Sequence, residues 1–182
     1  MHTLSDYEIR EARKTDAEDI AYVHLTTWKT NYKGIIAQAY LDNLSLKDRL
    51  DLRQKILDNN AGIHLVATFK NKVIAFYDAD HFRFHENQRI SSDQLKRRNE
   101  KGEIYAIYIL QEHQHVGIGS DLFQVGRNRL KEKGLIPFVA WVLKENHLAT
   151  SFYEKMGGKL VDEVKVIIGG SEYLELAYRF EG

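Results

Sequence analysis

The sequence predicts one α/β (α+β) domain spanning residues 1–182. Three observations carry that reading. Segments with strand character alternate with segments of helical period along the chain, without internal repeats. Two strand segments flank Lys70-Asn71-Lys72 closely enough to form a hairpin. Two glycines, Gly117 and Gly119 in "QEHQHVGIGS", separate an apolar stretch from an amphipathic one. The 182 residues suffice for a single core, and a hydrophobic content of 43% is ordinary for a globular protein.

Taken in order, "YEIREA" (7–12) reads as a first strand. Thr15 and Glu18 in "TDAE" form a capping box that opens a helix over about 16–29, with Ile20, Val23, His24 and Thr27 on one side. A second helical region covers about 37–59. "IHLVATF" (63–69) and "VIAFYDAD" (73–80) make the hairpin. Residues 81–101 are the least regular segment and carry six Lys/Arg against three acids. That segment is either a solvated insertion between strands or a flap over a ligand. "EIYAIYIL" (103–110) has the aromatic and β-branched run of a buried central strand.

After the glycines, "SDLFQVGRNRLKEKG" (120–134) is a helix with Leu122, Phe123, Val125 and Leu130 inward and Gly134 as its stop. "PFVAWVL" (137–143) is another buried strand, and "NHLATSFYEKMGG" (146–158) a short helix. Gly169-Gly170 turns a terminal hairpin. Its free edges would suit a homodimer.

Composition excludes several functions. Lys+Arg and Asp+Glu both number 26, so no global field favours nucleic acid or an anionic membrane. Without cysteine there is no disulfide, thiol nucleophile or thiolate metal site. His113-x-His115 lacks a third ligand at convincing spacing, so no metal is expected. The polar N-terminus is no signal peptide, and no apolar run nears the roughly 20 residues of a membrane span. A soluble cytoplasmic protein is the expectation.

The glycines stand where a strand enters a helix. First-turn N–H groups there lack helical acceptors, and the dipole adds partial positive charge. Missing side chains let a pyrophosphate come close, so the stretch reads as an anion cradle built from backbone. It is not a Walker loop, since Gly119 runs into Ser120-Asp121, and Leu122 stands where a dinucleotide fingerprint needs its third small residue.

Several elements together resemble the GCN5-related N-acetyltransferase (GNAT) superfamily. Gln114-His115-Val116-Gly117-Ile118-Gly119 fits its coenzyme A loop, Gln/Arg-x-x-Gly-x-Gly/Ala. Glu103 lies eleven positions earlier, near the start of the preceding strand. Asn146, Ala149, Phe152, Tyr153 and Gly157 fit its later segment. The order of elements agrees along nearly the whole chain. Gln111, His115 and Gly157-Gly158 depart from the usual residues without removing a proposed catalytic group.

The resemblance implies a mixed, mostly antiparallel sheet of about six to seven strands with about four helices, splayed between its two central strands. It implies an acetyltransferase that moves the acetyl group of acetyl-CoA to a primary amine of a small molecule or a peptide, by direct attack and without metal. Backbone around Gln114, His115, Val116, Gly117, Ile118, Gly119 and Ser120 would hold the pyrophosphate. Ile107, Tyr108 and Ile109 would pair with the pantetheine arm as an added strand. Asn146 would bind coenzyme polar groups or cap its helix.

Glu103 is the candidate base, with burial raising its pKa, against an ordinary pairing with Lys101 or another cation. Tyr153 is the candidate donor to the leaving thiolate, against core packing. Trp28, Tyr32 and Tyr77 would wall the acceptor site, with Asp78, Asp80 and His81 nearby; packing anchors are the alternative. A non-catalytic acyl-CoA sensor is the competing function, and intact Glu103 and Tyr153 argue against it.

Overall fold

The computed structural model describes residues 7–59, 61–83, 85, 87–91, 94 and 98–182. Residues 1–6 and part of the 81–101 segment, including Asp93, Lys96 and Arg97, lie outside the described residues. Among the described residues eight strands form one sheet: β1 (Tyr7–Glu11), β2 (Ile63–Phe69), β3 (Lys72–His81), β4 (Gln88–Arg89), β5 (Gly102–Ile109), β6 (Phe138–Leu143), β7 (Lys159–Ile168) and β8 (Ser171–Phe180). Five α-helices accompany them: α1 (Ala17–Asn31), α2 (Gln38–Asp42), α3 (Leu46–Asn59), α4 (Ile118–Glu132) and α5 (His147–Lys155). The sheet order is β1-β2-β3-β5-β6-β8-β7-β4.

Every neighbouring pair is antiparallel except β5 and β6. Those two run parallel and pair only from Gly102↔Phe138 to Ile104↔Ala140. One physical cause lies in β5 itself. Its register with β3 jumps between Asp78↔Ala106 and Ala79↔Ile104, so Tyr105 is an extra, unopposed residue. Such a bulge increases local twist and bends the strand. It stands one residue past the last β5–β6 pair, and there the strands part.

The expected elements are present with shifted ends. Helix α1 is entered through a 3-10 turn, Lys14–Asp16, rather than through a Thr15–Glu18 box. Asp16 accepts from the Arg13 N–H at 2.7 Å and from Arg10 at 2.7 and 2.9 Å. The expected 37–59 region is two helices. The short β4 in the 81–101 segment raises the strand number to eight: Gln88 and Arg89 pair with Val166 and Lys165 of β7.

Alternation along β5 sends Ile107 and Ile109 to the α4–α5 side, with Leu122, Phe123 and Phe138. Ala106 and Tyr108 face α1 and α3, with Ile20, Val23 and Phe76. A third apolar cluster seats α2 on the terminal hairpin through Leu41, Leu143 and Val166. Tyr77 is fully buried against α4, where Gly126 vacates the space; a Cβ there would stand 2.2 Å from the ring.

A buried ion network ties α3 to the sheet. Asp78 accepts from Arg53 at 2.8 and 3.0 Å and faces His64 Nδ1 at 2.7 Å. His64 Nε2 meets the Ala61 carbonyl, so both ring nitrogens face acceptors, as an imidazolium requires. Burial alone would raise the Asp78 pKa, yet His64 and Arg53 hold it below the usual range. Burial alone would lower that of His64, and Asp78 outweighs it to raise it.

Asp78→Ala should cost about 3–5 kcal/mol in urea unfolding at neutral pH, because it leaves the Arg53 charge buried and unpaired. His64, raised on folding, stabilises fully below its unfolded value near ~6.5. That contribution should fade as pH rises through the folded value, and His64→Gln should flatten this part of the pH–stability curve.

Candidate active site

Beyond Ile104 and Ala140 the facing edges of β5 and β6 have no strand partner, while their other edges are held by β3 and β8. A cavity of about 450 Å³ opens in the gap, lined by Ile107, Trp141, Asn146, Phe152 and Tyr153 among others. Its free strand edges present backbone donors and acceptors to any extended chain laid between them.

The junction of β5 with α4 forms one end of this cavity. His115 has φ 63° and Gly117 φ 100°, two left-handed residues in a tight bend. Gly117 is the N-cap and offers no side-chain acceptor. The first helical bond runs from the Asp121 N–H to the Gly117 carbonyl at 3.1 Å. The N–H groups of Ile118, Gly119 and Ser120 therefore point outward with no helical acceptor. A Cβ on Gly119 would already stand 3.0 Å from Ile109 Cδ1.

The residues of the loop differ in what they contribute. Gln114 Nε2 donates to the Ile109 carbonyl at 3.0 Å, pinning the bend to β5 with its side chain. Val116 projects into solvent and the Ile118 side chain enters the core. His113 packs against Phe69, with ring centroids 5.6 Å apart. Asn146 caps α5 by accepting from the Ala149 N–H at 3.2 Å, and it also lines the cavity.

Tyr153 is buried on α5 at the cavity wall, its ring stacked on Tyr178. Among the described residues its hydroxyl has no hydrogen-bond partner. Burial, with a smaller effect of Tyr108, raises its pKa beyond the ordinary phenol range. The hydroxyl therefore stays protonated and is a hydrogen-bond donor; complete proton loss to a thiolate would run uphill.

Across the sheet, on the α1 side, Tyr32 and Tyr108 also line the cavity, their hydroxyls 3.3 Å apart. Trp28 lies behind them, donating Nε1–H to Tyr108 at 3.1 Å and packing on Tyr32 and beneath Arg49. It buttresses the wall and does not line it. His24 stacks on Tyr108; burial, then Arg49 and Arg53, lowers its pKa to about 3, so it is neutral.

Glu103 is 1% exposed. Its Oε2 accepts from the Arg83 N–H at 3.1 Å and its Oε1 meets His85 Nε2 at 2.5 Å. Its partners thus come from the 81–101 segment, and Lys101 is not one of them. Glu175 on β8 is close enough to feel both Glu103 and His85, and takes a bond from Gln88 Nε2 at 2.8 Å. Burial raises its pKa.

Two expectations are corrected. Tyr77 cannot wall an acceptor site, because it faces α4 and is fully buried. Asp78 is consumed by Arg53 and His64 and is not free for a cationic ligand. The expectation had put both on one side, against the alternation of a strand. Asp80 is paired with its neighbour His81.

Glu175, Tyr105 and Trp141 were not singled out in the sequence. A weak signal existed for Glu175, a carboxylate inside the apolar run "YLELAY". The indole N–H of Trp141 is buried without a hydrogen-bond partner, while Arg98 packs over the ring at 4.5 Å.

A wider groove of about 730 Å³ lies at the other edge of the sheet, lined by Arg13, Lys14, Asp58, Arg129 and Lys133 among others. Its ions are largely paired, Lys14 with Asp58 and Arg129 with Glu11 and Glu132. No helix among the described residues is long and apolar enough to cross a membrane.

Comparison with known proteins agrees with this geometry. An uncharacterized N-acetyltransferase, YuaI, of Bacillus subtilis is 29% identical over 168 residues, covering 92% of this chain and 89% of that protein. A spermidine N(1)-acetyltransferase of Thermoplasma acidophilum is 28% identical over 155 residues, covering 85% and 89%. The crystal structure of PaiA N-acetyltransferase from Thermoplasma acidophilum in complex with coenzyme A superposes with a TM-score of 0.70 at 23% identity, covering 97% of this chain and 99% of that one. The sequence model of the Acetyltransferase (GNAT) family matches residues 19–158, and the chain belongs to that family.

Proposed function

We propose that the protein transfers the acetyl group of acetyl-CoA to a primary amine of a small cationic molecule, a polyamine being the best candidate. One observation carries the reading. The gap between β5 and β6 joins an uncapped helix N-terminus to the hydroxyl of a buried tyrosine, Tyr153, which has no hydrogen-bond partner among the described residues. The relatives support it: one is named a spermidine N(1)-acetyltransferase, and a structural neighbour holds coenzyme A.

The N–H groups of Ile118, Gly119 and Ser120 would hold the pyrophosphate, aided by the helix dipole. The open β5 edge at Ile107–Ile109 would bind the pantetheine arm as a strand binds its neighbour. A strand N–H meeting the thioester carbonyl would contribute about 3–4 kcal/mol to the transition state. Tyr153 would then donate its hydrogen bond to the departing sulfur. The acceptor arrives protonated, with a pKa near ~10.4, and must lose a proton before it attacks. Glu103 is the carboxylate that drives that loss.

A thiol-release assay with acetyl-CoA and a panel of spermidine, aminoglycosides, amino acids and N-terminal peptides tests the assignment. Turnover should be highest on spermidine-like amines; tight acetyl-CoA binding with no turnover on any amine would leave a sensor. Tyr153→Phe should lower kcat by about 10²-fold, in the range of a lost acid catalyst, with the affinity for acetyl-CoA nearly unchanged.

A further inference from the structure

We propose that His85, from the segment joining β3 to β5, is the group that takes the proton from the acceptor amine, with Glu103 orienting it from behind. This rests on the acetyltransferase reading above and names a residue which that reading leaves unused. Glu103 cannot do the work alone. Its side chain is 2% exposed against 27% for His85. One carboxylate oxygen is taken by the Arg83 N–H and the other by His85 Nε2. The path from this carboxylate to an incoming ammonium therefore runs through the imidazole.

The pairing fixes the tautomer. An ionised carboxylate only accepts, so neutral His85 must carry its proton on Nε2, and the lone pair is on Nδ1. Among the described residues Nδ1 has no hydrogen-bond partner. Among the described residues the titratable groups brought to the ring are Glu103 from β5, hydrogen-bonded to it, and Glu175 from β8; the Arg83 guanidinium lies over Tyr105 instead.

The segment is anchored well enough to hold the ring. Phe82 N–H bonds to the Lys101 carbonyl at 2.8 Å, Gln88 N–H to the His85 carbonyl at 2.9 Å, and β4 is paired with β7. Arg98 lies between Glu100 and Asp162 and on the ring of Trp141, a cavity residue. Arg83 likewise lies over the ring of Tyr105, another cavity residue, so these two described residues of the segment back the cavity lining.

The step balances. The ammonium gives one proton to His85 Nδ1, which returns it to solvent after turnover. The amine nitrogen then forms the N–C bond as the C–S bond breaks, and its second proton ends on the coenzyme sulfur, which the Tyr153 hydroxyl steadies by a hydrogen bond as it departs. The products are an amide, a free thiol and one proton released.

His85→Ala and His85→Gln should lower kcat on spermidine by about 10²-fold or more, with the affinity for acetyl-CoA unchanged. Added imidazole should restore part of the His85→Ala rate, and the acidic limb of the wild-type pH–rate profile should move in both variants. Variants that keep kcat within about threefold with an unmoved limb would overturn the proposal. Nitrogen NMR of the wild-type imidazole decides without turnover or variants: a bare Nδ1 supports it, and a neutral ring protonated on Nδ1 refutes it. If the wild type binds acetyl-CoA but acetylates no amine, the acetyltransferase reading falls and this role falls with it, whatever the tautomer.

Discussion

The structure depends on a parallel contact that is cut short. Two antiparallel half-sheets, β1-β2-β3-β5 and β6-β8-β7-β4, meet through pairing of Gly102–Ile104 with Phe138–Ala140. Each half keeps its own ladders, and the extra residue Tyr105 sharpens the twist of β5 where the contact ends. Separating two strands normally strands their backbone groups. In the proposed function the exposed edges are the binding surface, and a ligand would complete the hydrogen bonds that the fold leaves unfinished.

Charge follows the same economy. The chain is neutral overall, and the cradle relies on main-chain N–H groups and a helix dipole instead of Lys or Arg. Acidic groups are instead gathered on the far side of the sheet, where buried Glu103 meets His85 and half-buried Glu175 stands near both. An anionic ligand and a cationic one can thus approach the same gap from opposite faces without competing for the same groups. Aromatic rings separate the two regions: Tyr32 and Tyr108 on one side of the sheet, Phe152 and Tyr153 on the other.

What the sequence disclosed was local. The glycine bend, the Asn146 cap and the helix carrying Tyr153 each follow from contacts within a few residues, and spacing betrays them. The splay was legible only through family resemblance, since a single unopposed residue in "EIYAIYIL" leaves no compositional mark. Tyr77 was misplaced because its destination depends on Gly126, a helix residue with no sequence signal of the void it makes. The 81–101 segment read as irregular because its order comes from partners far along the chain: Val166, Glu175 and Asp162. Glu103 was found, but its neighbours were not, and those neighbours decide what a buried carboxylate can do.

The central claim is that the gap between β5 and β6, closed at one end by the bare first turn of α4, holds the acyl donor. A crystal structure with acetyl-CoA tests this directly. The account predicts pyrophosphate oxygens about 2.7–3.2 Å from main-chain nitrogens between Gly117 and Ser120, with the sulfur beside the Tyr153 hydroxyl. Acetyl-CoA bound instead in the groove of Arg13, Arg129 and Lys133, with the gap vacant, would contradict it.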